Sequence, residues 1–156
     1  MINLQLMNTL DRINKKILCE LKNDGRISNT ELASRVGLSS SACLRRVQEL
    51  ERSGIITGYR ATLNNEKMGI GCVAYVAVGL CDHTKVSQQA FEQAITLSPE
   101  VRECHNITGS YEYLLRIETT NLITYKTFHT DVLGVLPQVN SITTYVVMDS
   151  PKDERA

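Results

Sequence analysis

Residues 28–56, SNTELASRVGLSSSACLRRVQELERSGII, constrain the fold of this chain more than any other stretch. A capping residue at Ser28 or Asn29 begins a first short helix, and Gly37 ends it. Ser39 can then cap a second helix. Two short helices separated by about four residues around a glycine are the sequence form of a helix-turn-helix.

The second helix of this motif carries an apolar stripe on one side and a polar face on the other. The stripe repeats at i, i+4 and i+7, at Cys43, Val47 and Leu50, and Gly54 closes the helix. The serines at its start lie where amide donors and the helix dipole favour phosphate, and the arginines lie off the stripe. A DNA major groove accepts such a face. The residues predicted to contact DNA are Asn29, Thr30, Ser39, Ser40, Ser41, Arg45, Arg46 and Gln48.

An ordinary helical hairpin with a solvated charged face would show the same two-helix pattern, so the flanking segments matter. An amphipathic helix is predicted before the motif, from about Leu10 to Asn23. After the motif comes a β-rich run, residues 55–63, which can form a wing. Together these segments predict a winged helix-turn-helix over residues 1–63 that binds double-stranded DNA.

The distribution of charge supports a DNA-binding N-terminal part. The net charge of the 156 residues is zero, but residues 1–60 hold ten Lys or Arg against six Asp or Glu. The remaining residues hold seven basic and eleven acidic side chains. A basic half joined to an acidic half fits a DNA reader attached to a domain that avoids DNA, although the excess is mild.

Cysteine and histidine usage argues against a disulfide framework, a metal site or a cofactor. The five cysteines are odd in number, never form a C-x-x-C pair, and lie mostly in apolar stripes, so we expect reduced, buried thiols of a cytoplasmic protein. The three histidines have no ligand spacing between them. No apolar run approaches the roughly 20 residues of a membrane span, and no signal peptide is visible, so we expect no membrane partner.

A polar stretch with two glycines, residues 64–71, is predicted to be a linker, because the periodicity changes beyond it. Residues 72–156 then follow the order βαββαβ, the split ferredoxin-like unit, and the whole chain is therefore predicted to be α+β. The predicted elements are strands at 72–81, 101–108, 111–119 and 139–148 and helices at 84–97 and 121–133.

Both faces of the first predicted strand are apolar. Val76 belongs to one alternating set and Tyr75 to the other, and the last strand behaves similarly. Two helices cover only one face of a four-stranded sheet, so the second face would be an exposed apolar patch of the kind that marks an interface. We therefore expect a homodimer that packs sheet against sheet about a two-fold axis.

The complete pattern resembles the Lrp/AsnC, or feast/famine, family of bacterial and archaeal transcription regulators. The resemblance covers roughly residues 9 to 149 and rests on LDRINKKIL, NDGRISNTELASRVGLS, CLRRVQELERSGII, GYRATLN, ECHNITGSYEYLLRI and TTYVVMD. It is strongest with the leucine-responsive branch. It implies that the C-terminal module binds a free amino acid between dimers, that dimers assemble into rings, usually octamers, and that leucine and methionine are the first candidate effectors.

The effector site that the resemblance implies lies at the glycine turn between the second and third strands. Glu112 stands where the family commonly has Asp, and its carboxylate can pair with an effector ammonium from one methylene further out. Without the resemblance, Gly-Ser is ordinary hairpin chemistry. The implied effector residues are Gly109, Ser110, Tyr111, Glu112 and Tyr113, with Thr144 and Val146 on the far side.

Two other functions share this architecture. Sirohaem decarboxylases resemble it, so the fold alone does not exclude an enzyme. However, the chain has only three histidines, and no nucleophile–base pair is visible, so we expect no enzymatic activity. The other alternative is a DNA-architectural protein that binds no ligand.

Overall fold

The chain divides into two compact units, with the division between Ala61 and Thr62, in a computed structural model that describes residues 10–153. Residues 1–9 of the predicted first domain and residues 154–156 of the predicted second domain lie outside the described part. The stretch predicted to be a linker forms a turn in which the Ile70 amide bonds to the Asn65 carbonyl.

Three helices build the first unit. They are α1 (Arg12–Asn23), α2 (Asn29–Val36) and α3 (Ser40–Arg52). Each follows a residue whose side chain accepts a bond from a first-turn amide, namely Asp11, Ser28 and Ser39. The predicted helix-turn-helix is therefore present, with Ser28 rather than Asn29 as the cap of α2.

The turn between α2 and α3 depends on Gly37. Its φ of 77° lies in the left-handed region, which glycine adopts without the steric cost that a Cβ imposes. The Leu38 amide then bonds back to the Ala33 carbonyl at 2.9 Å, and α3 begins two residues later. The buried core between the three helices consists of Ile17, Leu32, Ala33, Val36, Cys43 and Leu50.

The β-rich run of residues 55–63, which is predicted to form a wing, contains no strand in this structure. The amides of Ile55 and Ile56 both bond to the Leu50 carbonyl at 3.0 Å, which ties the start of the run to the end of α3. Gly58 then turns with a φ of 155°. A β-propensity run needs a partner strand, and the first unit offers none among the described residues.

The second unit is a four-stranded antiparallel sheet with two helices, as predicted. The strand order is β2-β3-β1-β4, so β1 pairs with both β3 and β4. This is the ferredoxin-like arrangement. The elements are β1 (Cys72–Leu80), α4 (Lys85–Thr96), β2 (Val101–Asn106), β3 (Tyr113–Thr119), α5 (Leu122–Phe128) and β4 (Val139–Val146).

The helix predicted to run to Leu133 changes character after Phe128. Residues His129–Leu133 form a π-helical turn, in which the Gly134 amide bonds to the His129 carbonyl at 2.9 Å. The wider turn lets two side chains five residues apart, Phe128 and Leu133, share the core.

One face of the sheet packs against the helices. Ala74, Val76 and Val78 of β1 are fully buried there. They lie beside Leu115 and Ile117 of β3, and both of these are buried as well. The helices contribute Phe91, Ile95, Tyr125, Phe128 and Leu133.

The opposite side, here called the open sheet face, is formed by Val73, Tyr75 and Ala77 of β1 with their cross-strand neighbours. It is less apolar than β1 alone suggested, because Arg116 of β3 lies opposite Tyr75, and Glu118 lies opposite Val73. Residues 150–153 reach this face, since Ser150 and Asp153 line a cavity of about 230 Å³ together with Tyr75 and Arg116. Tyr145 of β4, opposite Tyr75, is 56% exposed.

None of the helices within residues 10–153 has the length and apolar composition needed to cross a bilayer.

Candidate functional site

The exposed face of α3 is the first candidate site. Ser41, Arg45 and Gln48 follow one another at steps of four and three residues, so they share the face opposite the buried Cys43 and Leu50. All three are exposed. Arg45 and Gln48 make no side-chain bond to the described residues. Three of the residues predicted to contact DNA are therefore presented on one exposed face of a packed helix.

The predicted residues at the starts of α2 and α3 also hold the motif together. The Ser39 hydroxyl caps α3 by accepting from the Ala42 amide, and it lies 3.3 Å from the Ser41 hydroxyl. The Asn29 side chain donates to the Ser40 carbonyl at 2.8 Å and so joins the first turns of the two helices. Thr30 is exposed.

Arg46 has partners that the sequence did not predict. Its Nη1 donates to Asp11 Oδ2 at 2.7 Å and to Asn14 Oδ1 at 2.9 Å, and its side chain is 32% exposed. The bond from the Asn14 amide and the Arg46 guanidinium hold the pKa of the Asp11 carboxyl below its usual value. Of the two arginines predicted on the DNA-facing surface, only Arg45 is there without a partner from the described residues.

The second candidate site is the turn from Ile107 to Glu112. The Ile107 amide bonds to the Glu112 carbonyl at 2.8 Å, and the Glu112 amide bonds to the Val78 carbonyl at 3.1 Å. Gly109 has a φ of 145°, which a residue with a Cβ rarely adopts. The turn is thus fixed against the end of β1.

The carboxylate of Glu112, the predicted partner of an effector ammonium, is engaged on both sides. Oε2 accepts from the Leu80 amide at 2.7 Å, and Oε1 lies 3.4 Å from Nδ1 of His83. A register shift between Gly79 and Leu80 leaves the Leu80 amide available for this bond. The Glu112 side chain is 17% exposed, and Oε1 is the oxygen that no backbone amide holds.

The two tyrosines of the turn differ in what they can offer a ligand. Tyr111 is half-buried, and its hydroxyl is 2.6 Å from the Thr143 hydroxyl. Tyr113 is buried, its ring packs on Phe91 with centroids 4.7 Å apart, and its hydroxyl donates to Glu92 at 2.7 Å. Burial, together with the Glu92 carboxylate, raises the pKa of Tyr113 to about 12. Tyr113 therefore belongs to the core.

Within one copy, the structure does not bring Thr144 and Val146 to the turn. They lie opposite Val76 and Ala74, further along β4 and on the helix-covered side, and the Thr144 hydroxyl is bonded to Tyr125. Within one copy, residues of the turn contact Val78, Leu80, His83 and Thr143. The sequence offered one signal for His83, because a residue just after β1 must lie near the start of an antiparallel β3.

All five cysteines are free thiols, but only Cys43 and Cys72 are buried. The prediction of buried thiols is wrong for Cys19, Cys81 and Cys104, which are exposed. Cys104 is in β2, an edge strand, where one side of the backbone has no neighbour. Within residues 10–153 no group of three His, Cys, Asp or Glu side chains could hold a metal ion.

Comparison with known proteins matches both units to described families. Residues 10–57 match the winged helix-turn-helix DNA-binding family, and residues 73–156 match the Lrp/AsnC ligand binding domain. The chain is 41% identical over 143 residues to the leucine-responsive regulatory proteins of Escherichia coli and Klebsiella pneumoniae, a match that covers 92% of this chain and 87% of each relative.

A solved structure with the same fold is a transcriptional regulator of Neisseria meningitidis in complex with L-Met. It is 34% identical to this chain, with a TM-score of 0.88 and coverage of 92% of this chain and 93% of that one. These matches span the helix-turn-helix, the sheet and the glycine turn. The chain therefore belongs to the Lrp/AsnC family of ligand-modulated, DNA-binding transcription regulators.

Proposed function

We propose that this protein is a sequence-specific regulator of amino-acid metabolism genes and that α3 reads the major groove of operator DNA. The observation that carries the proposal is the exposed polar face of α3, where Ser41, Arg45 and Gln48 stand opposite a buried stripe. Arginine and glutamine side chains are suited to base edges, and the serines at the start of α3 are suited to phosphate. Asn29 and Thr30 at the start of α2 can add contacts to the phosphate backbone of the DNA.

The proposed effector is a free amino acid, with leucine and methionine as first candidates. Two observations about relatives support this choice: the name of the leucine-responsive relatives and the L-Met bound to the Neisseria protein. At the turn, Glu112 Oε1 would accept from the effector ammonium, since Oε2 is held by the Leu80 amide. Gly109, Ser110 and Tyr111 would line the same site, and Thr144 and Val146 would approach it only from another copy.

We further propose a homodimer built on the open sheet face, with dimers assembling to an octamer. The half-buried Val73 and Tyr75, with Ala77 beside them, form an apolar centre on β1 that two helices cannot cover. Free thiols at all five cysteines support a cytoplasmic location, where thiols stay reduced. We propose no enzymatic activity, since the relatives are named as regulators.

The test of the effector site is a calorimetric titration with a panel of amino acids, comparing the wild type with Glu112→Gln. Glutamine keeps an oxygen for the Leu80 amide, so the fold should persist while the charge is lost. Loss of a charge-assisted hydrogen bond costs about 1.5–3 kcal/mol, so binding should weaken roughly tenfold or more.

Glu66→Gln is the matched control, because Glu66 is an exposed carboxylate of the same unit. Its binding should equal that of the wild type. Equal affinity in Glu112→Gln would remove Glu112 from the site. If the wild type gave no heat with any amino acid, the DNA-architectural alternative would replace the proposal. Mapping bound genomic sites with and without the effector would then test regulation.

A further inference from the structure

Two neighbouring arginines of α3, Arg45 and Arg46, have different surroundings. Successive helix positions are about 100° apart, so the two side chains leave α3 in different directions. Arg46 is three residues after Cys43 and four before Leu50, which puts it on the flank of the buried stripe. Arg45 is on the exposed face. A shift of one residue along α3 therefore makes the Arg46 guanidinium half-buried and leaves that of Arg45 exposed.

The guanidinium of Arg46 joins α3 to the first turn of α1 through two acceptors. Asp11 Oδ1 caps α1 by accepting from the Asn14 amide at 2.7 Å, while Oδ2 of the same carboxylate accepts from Arg46. Asn14 Oδ1 accepts from the same nitrogen of Arg46, and Asn14 itself is only 9% exposed. The Asp11 carboxylate thus caps the first turn of α1 and also bonds α3 to α1 through Arg46.

This arrangement leaves Arg46 poorly suited to contact DNA. Its charge is compensated by Asp11 at 2.7 Å, so the pair adds little net attraction for phosphate. Both donors of Nη1 in Arg46 are taken by these two acceptors, so a bidentate contact to guanine would have to use the remaining Nε and Nη2 while the side chain stays held by Asp11 and Asn14. Arg45 has neither restriction.

From this geometry, and resting on the proposed DNA-binding function, we infer that Arg46 is a positioning residue. Through Asp11 and Asn14 it fixes the angle at which α3 presents Ser41, Arg45 and Gln48 to the operator. Productive contacts to base edges depend on small displacements of the reading helix. Loss of the brace should therefore reduce discrimination between operator and random DNA rather than general attraction to DNA.

The experiment measures affinity for an operator selected by the wild-type protein and for random duplex of the same length, over a range of salt concentrations. Asp11→Asn is the decisive variant, because asparagine caps helices as well as aspartate but removes the ion pair. Asp11→Asn and Arg46→Gln should each lower the ratio of operator to random affinity roughly tenfold, within the range of coupled contacts. Thermal unfolding of both variants checks that they fold.

Two further readouts separate positioning from contact. The double variant Asp11→Asn, Arg46→Gln should have the same ratio of operator to random affinity as either single variant. In the double variant Asp11→Asn, Arg45→Gln, the losses in that ratio should add. The slope of log affinity against log salt should be unchanged in Arg46→Gln, since no phosphate contact is lost.

The inference is overturned if Asp11→Asn keeps the wild-type ratio of operator to random affinity while Arg46→Gln lowers that ratio. It is also overturned if Arg46→Gln lowers the salt slope by about one. A wild type that binds operator and random DNA equally would instead refute the proposed function, and the inference would fall with it.

Discussion

The exposed face of α3 and the turn from Ile107 to Glu112 differ in how their polar side chains are satisfied. On α3 the polar groups of Arg45 and Gln48 are exposed and make no bond to the described residues. In the turn the polar side chains already have partners, since Tyr111 bonds to Thr143 and Glu112 bonds to Leu80. One copy therefore leaves the polar groups of α3 without partners among the described residues, whereas the turn satisfies the polar side chains of Tyr111 and Glu112 within the same copy.

The first prediction tests whether the proposed dimer affects the turn but not α3, and it has the largest expected effect. Tyr145→Asp puts a charge on the open sheet face at a position that is 56% exposed in one copy, so the fold should tolerate it. In the dimer the charge would be desolvated at a cost of several kcal/mol, and dimer affinity should fall at least a hundredfold. Sedimentation velocity at micromolar concentration gives the mass.

Val86→Asp is the control for this change, because Val86 is an exposed apolar residue on α4. It should sediment as the wild type does. Tyr145→Asp should lose amino-acid binding. As a monomer it still exposes the polar face of α3, so it should keep weak, salt-sensitive binding to random DNA. An unaltered dimer in Tyr145→Asp would rule out the open sheet face as the interface.

The second prediction tests how rigidly the turn is set. Gly109→Ala forces a Cβ into a backbone with a φ of 145°, although no atom lies within 4 Å of it. The strain alone should cost about 1–3 kcal/mol of unfolding free energy in urea, and effector affinity should fall with it. Gly25→Ala has no such strain and a Cβ contact of 3.6 Å, so its stability should stay within about 0.5 kcal/mol.

The third prediction concerns acid and the first unit, and its effect is the smallest. Asp11 has a lowered pKa in the folded protein, so its contribution is present above the unfolded value near 3.8 and is lost as pH falls through the folded value. The melting temperature of the wild type should exceed that of Asp11→Asn at pH 6, and the difference should shrink below pH 4. A constant difference from pH 2 to pH 6 would show that the ionised carboxylate contributes nothing.

The elements that local pattern defines were predictable from the sequence. The cap at Ser39, the glycine stop at Gly37 and the six elements of the second unit all depend on neighbouring residues. The lack of a strand in residues 55–63 was not predictable, because β-branched residues 55–57 have only a preference for strand, and a partner strand is needed to form one. The exposure of Cys104 likewise depends on β2 being an edge.

The sequence predicted which residues belong to the two candidate sites, but it did not predict the hydrogen bonds that these residues make. Arg45 and Arg46 are the same type of residue, and they differ only in their positions relative to the buried Cys43 and Leu50. Asp11 lies 35 residues from Arg46, and Glu112 lies 32 residues from Leu80. Such pairings follow from helix packing and strand register, which local periodicity does not contain.

The bonds at Glu112 also constrain how this family of turns can diversify. Its carbonyl closes the turn on Ile107, its amide holds Val78, and its carboxylate holds Leu80. A shift of one residue in the register of β3 against β1 would move the amide and the carboxylate of Glu112 away from their partners at once. If the turn binds the effector as proposed, variants that respond to different effectors should arise by exchanging side chains while this register is kept.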